Sequence, residues 1–186
     1  MQGIPHRRGG RERQDSVQKA VARVRPGIGI ILVHDAVRPL CDRATMERVV
    51  EAARETGGAV PGLPVTETIQ RVSGRGRILR TPRREELYAI QTPQCFHAEI
   101  LRSSLEQARR KGFMGSDESS IVLWAGHPVA VVPGSPNNIK ITRPLDLDLG
   151  ERLLARQAGR ILAEREDAGM LRLGQGMDYH RLARDH

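Results

Sequence analysis

The sequence predicts an α/β fold: a mainly parallel sheet with helices on both faces and one β-hairpin projecting from it. Three observations support this. Short apolar runs rich in Val and Ile alternate along the chain with stretches of helical period, the pattern that builds layered α/β domains. Hydrophobic residues make up 39% and aromatics only 3%, so the core between those layers must be aliphatic. A chain of 186 residues is long enough for one domain with a real core and a short appendage.

In chain order, the Gly- and Arg-rich residues 1–13 read as loop, where Gly9-Gly10 could let the backbone approach a ligand closely. A helix from about Asp15 to Val24 follows, with Asp15 as N-cap, Val17, Ala20, Val21 and Val24 on one face, and Arg25-Pro26-Gly27 as its stop. Ile30-Ile31-Leu32-Val33 reads as a fully buried parallel strand ending in His34-Asp35-Ala36-Val37-Arg38-Pro39. Asp42 can cap a helix carrying Ala44, Met46, Val49, Val50 and Ala53, which Gly57-Gly58 ends. Gly58 to Pro64 is a short strand. Residues 65–81 alternate Thr and Arg around Ser73-Gly74-Arg75-Gly76 and read as the projecting hairpin. A strand from about Tyr88 to Thr92, a helix from His97 to Lys111, and a helix capped by Ser116 or Asp117 come next. Strands at Val129–Val132 and Asn138–Thr142 precede a helix opened by Pro144, which carries Leu145, Leu149, Leu153 and Leu154.

The candidate chemistry sits at the ends of these elements. Asp35 lies just past a buried run, where open α/β sheets place their ligands, and Arg38 could reach an anion in the same crevice. The competing reading has Asp35 capping the next element and Arg38 paired with it. Lys140 is one of only three lysines in an Arg-rich chain and would be a compact point charge for a phosphate. Arg84 could clamp a phosphate bidentately, or belong with Arg83, Glu85 and Glu86 to a solvated cluster. Ser16 could join a helix N-terminus in binding an anion; Thr68 reads equally well as a β-former; and Asp117-Glu118 reads as acid favourable to a helix start. His34 reads as packed. In the tail, Asp178 and His180 would share a face if extended and could both touch one metal, though two ligands do not complete a site.

The formal charge of +8 suits anionic ligands. Its scatter, with few aromatics for base stacking, argues against nucleic acid. No apolar segment approaches the roughly 18 residues of a membrane span. Cys41 and Cys95 show neither metal-ligand spacing nor a disulfide framework, and no secretory signal is present, so the expectation is a cytoplasmic protein.

Together, Gly9-Gly10, Arg13-Gln14-Asp15-Ser16-Val17, Val33 to Pro39, Gln91-Thr92-Pro93-Gln94, Asp117-Glu118 and Asn138 to Pro144 resemble the 2-C-methyl-D-erythritol 4-phosphate cytidylyltransferases, in order and spacing, from about residue 9 to 157. The resemblance implies a Rossmann-like nucleotidyltransferase sheet, with helices on both faces and a β-hairpin arm at about 65–84. It implies transfer of a cytidylyl group from CTP to 2-C-methyl-D-erythritol 4-phosphate, with release of pyrophosphate and Mg²⁺ as cofactor, in isoprenoid precursor synthesis. Lys140, Arg84 and Asp35 would be the catalytic residues. Lys140 would steady the α-phosphate, with Asp35 and Arg38 lining the site. Gly10 and Ser16 would contact the cytidine end, and Thr68, Arg84 and Thr92 would hold the methylerythritol phosphate. The arm would cross a homodimer, so that Thr68 and Arg84 serve the partner's site.

Residues 172–182 resemble the opening of 2-C-methyl-D-erythritol 2,4-cyclodiphosphate synthase, which would make Asp178 and His180 two ligands of a divalent metal such as Zn²⁺. The cytidylyltransferase family opens with a strand and an Ala-Ala-Gly-x-Gly-x-Arg triphosphate loop that residues 1–8 do not match. The resulting expectation is a partial cytidylyltransferase domain over 1–159, a linker over 160–169 and the start of a fused second enzyme over 170–186. Turnover by this chain is then open, the alternative being a non-catalytic dimerisation or scaffold fragment.

Overall fold

The computed structural model of the protein describes residues 12–166. Five helices and seven strands follow one another: α1 (Arg13–Val21), β1 (Ile30–Val33), α2 (Arg43–Thr56), β2 (Gly58–Pro64), β3 (Arg71–Val72), β4 (Ile78–Arg80), β5 (Tyr88–Ile90), β6 (Gln94–His97), α3 (Ala98–Lys111), α4 (Glu118–Trp124), β7 (Ala130–Pro133) and α5 (Pro144–Glu166). β2 is the centre of the main sheet. It pairs in parallel with β7 on one side and antiparallel with β6 and β5 on the other, and β1 adds to β6, also antiparallel.

The sheet is therefore mixed, and only one of its four ladders is parallel. That corrects the expectation of a mainly parallel sheet with the Ile30 run as a fully buried parallel strand. β1 lies at the edge among the described residues; only Ile31 is buried and Leu32 is exposed. A run of four apolar residues has the same composition whichever way its neighbour points, so the sequence could not reveal direction.

Helices cover both faces, and the two-residue period of the strands sorts the core between them. Ile31, Val60 and Phe96 face α3 and α4, packing with Leu101, Leu105, Ala108, Ile121 and Val122. Their neighbours Ile30, Ala59 and Cys95 face α2, packing with Val49 and Ala53. Burial pushes the Cys95 thiol up to about 11, so it is an inert part of this second layer.

The caps explain the helix ends. Asp42 accepts a hydrogen bond from the Thr45 N–H at 2.6 Å, and Gly57 closes α2 at φ 87°, a conformation that glycine adopts without steric cost. Asp117 caps α4, accepting from the Ser120 N–H at 2.8 Å. α1 starts earlier than its apolar period suggests: Glu12 is the N-cap and Asp15, expected there, sits at the third helical position of a capping box. Asn138–Thr142 forms no ladder, contrary to expectation; its one backbone tie to another element is Ile141 N–H to the Val37 carbonyl, 2.8 Å. β6 is a strand the sequence reading left out, because four residues between Pro93 and a helix carry too little period to register. Among the described residues β3 and β4 pair only with each other, and they are exposed along their whole length. α5 runs to Glu166, through the first part of the stretch read as a linker.

Candidate active site

The site is built where β1, the Gln91–Gln94 turn and the 134–142 segment meet. Gln91 is buried and holds the last of these. Its amide donates to the Ser135 carbonyl at 2.9 Å and accepts from the Ser135 N–H at 3.1 Å. Asn138, also buried, donates to the Thr92 carbonyl at 2.8 Å. Side-chain amides thus replace the missing ladder and deliver Lys140 to the end of β1.

The loop after β1 is tied by a directed chain of hydrogen bonds. The Asp35 N–H donates to Thr92 Oγ1 at 3.0 Å, and Thr92 Oγ1 lies 3.0 Å from His34 Nδ1. His34 Nε2 lies 3.0 Å from the Arg38 carbonyl. A carbonyl only accepts, so Nε2 carries the ring proton, and Nδ1 of the neutral ring accepts from the Thr92 hydroxyl. His34 is thus packed into the loop, and Thr92, 5% exposed, fixes the backbone of Asp35. Arg38 does not pair with Asp35: its guanidinium donates to the Asn138 carbonyl at 2.7 Å. Its Nε–H is buried without a partner among the described residues. A ligand oxygen would satisfy that donor.

Asp35 does not cap a helix either. Oδ1 faces Arg13 at 3.1 Å and Oδ2 faces the Lys140 ammonium at 3.3 Å. Burial alone would raise this carboxyl, but the hydrogen bonds and charge of Arg13, then Lys140, hold it below the ordinary carboxylate value. Arg13 in turn grips Glu118 with two bonds, 2.7 and 2.8 Å. Hydrogen bonding to Glu118 above all keeps that guanidinium ionised, against its partial burial.

The structure ties Asp35 to Lys140 and to Thr92, and joins Arg38 to the segment that carries Lys140. Ser16 lies on the first turns of α1, its hydroxyl 3.3 Å from the Glu12 carbonyl. Thr68 and Arg84 stand apart on the exposed 65–84 segment, where Arg84 donates to the Thr66 carbonyl at 3.3 Å. Among the described residues no hydrogen bond or ion pair joins either to Asp35 or Lys140. Gly10, Asp178 and His180 lie outside the described residues. Sequence reasoning passed over Arg13 and Glu118 as site members: a first-turn acid looks like any dipole-favourable carboxylate, and only their convergence shows otherwise.

A separate open cleft of about 510 Å³, lined by Leu40, Asp42, Arg48, Ser135, Leu153 and Arg156, contains neither Asp35 nor Lys140. Among the described residues no group of three His, Cys, Asp or Glu could hold a metal ion, and both Asp35 oxygens face cations. The described residues do not by themselves fit a metal site. No helix among them is long and apolar enough to cross a membrane.

Comparison with known proteins gives one family. Residues 4–156 match the family model of IspD, 2-C-methyl-D-erythritol 4-phosphate cytidylyltransferase. Proteins of that name from Solibacter usitatus and Acidobacterium capsulatum are 43% and 46% identical over 156 residues, which is 82% of this chain and 64% and 65% of theirs. The chain thus spans slightly under two thirds of the length of these curated relatives. The crystal structure of the cytidylyltransferase from Thermus thermophilus superposes with a TM-score of 0.70 at 41% identity, over 78% of this chain and 70% of that one. The bifunctional IspDF from Campylobacter jejuni matches with a TM-score of 0.63 at 26% identity, over 75% of this chain and 35% of that one.

Proposed function

The chain belongs to the 2-C-methyl-D-erythritol 4-phosphate cytidylyltransferase family, and from that premise we propose that it joins CTP to 2-C-methyl-D-erythritol 4-phosphate with release of pyrophosphate. The observation that carries the reading is the Lys140 ammonium, 47% exposed and 3.3 Å from Asp35, on a segment whose Asn138 carbonyl accepts from Arg38. An anion arriving there meets an exposed cation already oriented by the fold.

In the proposed reaction a phosphate oxygen of the acceptor attacks the α-phosphorus of CTP in line, and the pyrophosphate oxygen leaves with its electron pair. The protein's part is positioning and charge stabilisation. Lys140 moves from Asp35 onto the α-phosphate as charge builds there. Asp35 holds Lys140 in place beforehand, and Arg38 and Thr92 keep the loop shaped around the acceptor. Gly10 and Ser16 are assigned to the cytidine end, and Thr68 and Arg84 to the methylerythritol phosphate of a partner subunit. A divalent ion such as Mg²⁺ would be carried by the CTP phosphates and would supply neutralisation of their charge.

The exposed β3–β4 hairpin supports the homodimer, because Val72, Ile78 and Leu79 have no partner layer of their own among the described residues. Sedimentation should show a dimer that replacing Ile78 and Leu79 by lysine converts to monomer. We also read residues 170–186, after the stretch 160–169, as the opening of a cyclodiphosphate synthase. Support comes from the resemblance of 172–182 and from the similarity of the chain to the bifunctional IspDF of Campylobacter jejuni. Asp178 and His180 would be two of its divalent-metal ligands.

The deciding experiment is pyrophosphate release from CTP, with the methylerythritol phosphate and Mg²⁺ supplied, by this chain and by Lys140→Ala. Turnover that drops in the variant by roughly 10²–10³, the range for losing a preorganised charge, is expected. A folded wild-type chain that releases no pyrophosphate would overturn the activity and leave a non-catalytic module.

A further inference from the structure

We propose that Arg13 is a positioning residue which, anchored on the buried Glu118 carboxylate, fixes one oxygen of Asp35 and reserves the other for Lys140. The effect on turnover rests on the cytidylyl transfer proposed above. The geometry does not.

Glu118 is fully buried, and its carboxylate has Arg13 as its one hydrogen-bonding side chain among the described residues. A carboxylate without water holds its counter-charge firmly, because losing it would leave an uncompensated buried ion. Both Glu118 oxygens are engaged, at 2.7 and 2.8 Å, so the planar guanidinium is set in orientation as well as position. The remaining edge, Nε and one terminal nitrogen, then points at Asp35 Oδ1, at 3.3 and 3.1 Å. One guanidinium thereby spans two carboxylates that lie 83 residues apart in sequence.

Docking α1 does not require this bridge. Gln14, next in sequence and 7% exposed, donates to the Phe113 carbonyl at 3.0 Å and accepts from the Gly115 N–H at 2.9 Å. Val21 adds apolar contact at the other end of the helix. What Arg13 supplies in addition falls on Asp35. With Oδ1 occupied, Asp35 offers Lys140 a single oxygen at 3.3 Å, a hold loose enough to release the ammonium to a phosphate. Arg38, on the same loop, directs one terminal nitrogen to the Asn138 carbonyl and makes no ion pair with Asp35 among the described residues. The partial burial of Arg13 and its raised basicity agree with a fixed rather than a wandering side chain.

Arg13→Lys separates the positioning from the packing. An ammonium lacks the two planar donor edges that hold both carboxylates in orientation, and the fully buried Glu118 outcompetes Asp35 for it. The readouts on the full chain are thermal melting, the ¹³C-detected titration of the Asp35 carboxyl, and kcat and KM for CTP. The variant is expected to melt within a few degrees of wild type, while Asp35 titrates at clearly higher pH. In turnover, kcat falls about tenfold or more and KM for CTP changes little. Adding Glu118→Gln to Arg13→Lys removes the buried competitor, so the ammonium should return to Asp35 and its titration should move back toward wild type.

An Asp35 titration unchanged in Arg13→Lys, or one that the added Glu118→Gln does not move back, overturns the proposal. The titration decides whether Arg13 positions Asp35 even in an inactive protein. The activity reading stands or falls separately, on pyrophosphate release by the wild type.

Discussion

At Asp35 one carboxylate meets two cations of different character, a fixed guanidinium and a mobile ammonium, and its own backbone is held by Thr92. The hydroxyl of Thr92 both accepts from Asp35 and donates to His34, so it orders a loop that has no strand partner on that side. Replacing it with Val keeps the shape and removes both bonds. Thr92→Val should lose about 1–3 kcal/mol by denaturant melting, the cost of leaving a buried donor and acceptor unmade, and Thr92→Ser should recover most of it. Asp35 was legible in the sequence because it stands where a short apolar run stops, and Lys140 because it is one of only three lysines in an Arg-rich chain. Arg13 and Glu118 were not. Glu118 sits in the first turn of a helix, where an acid has an ordinary explanation, Arg13 is one arginine in an Arg-rich chain, and the 2.7 Å contact between them is a product of tertiary packing alone.

At the scale of elements, the 134–142 segment is the most consequential. It carries Lys140, and two buried amide side chains hold it in place of a sheet ladder. Gly134 makes this possible: a Cβ there would lie 2.5 Å from Gln91 Oε1 and 3.2 Å from the Gly62 carbonyl. Gly134→Ala must therefore push Gln91 out of its seat. The expected loss is about 1–3 kcal/mol of stability, as for other overpacked sites, with a fall in kcat as Lys140 shifts. Differential scanning calorimetry and the pyrophosphate assay would read the two effects; a variant that melts and turns over like wild type would show the seat to be slack. The sequence located this segment but misassigned it as a strand. Ile139 and Ile141 alternate with polar neighbours as a strand would, and nothing local signals that Gln91 and Asn138 supply the bonding instead. β2 and the helices around it were legible because their caps and glycines are local signals.

For the molecule as a whole, three buried or half-buried carboxylates link folding to pH. At Asp35, Asp42 and Asp117 burial works to raise the carboxyl, and hydrogen bonds and neighbouring cations outweigh it, so each lies below its ordinary value when folded. A depressed folded value means stability that is fully present above the unfolded value, near 3.9, and that drains away as pH falls through the folded one. Urea midpoints should hold level down to roughly pH 5 and then decline steadily. A midpoint that rises on acidification would contradict the three assignments. The two-faced layering of helices on a sheet followed from the alternation of patterns along the chain. The antiparallel majority of ladders did not, since strand direction is decided by which segments meet across the core.

The lone backbone tie between Ile141 and Val37 has a spectroscopic consequence. Beside it, the amides of Ile139 and Lys140 have no acceptor among the described residues, so in deuterated solvent they should exchange within the dead time while that of Ile141 lags. The lag measures how long the Lys140 segment stays closed on the loop after β1. A nucleotide that bridges the two would lengthen it, giving a binding signal in protein that has turned over nothing.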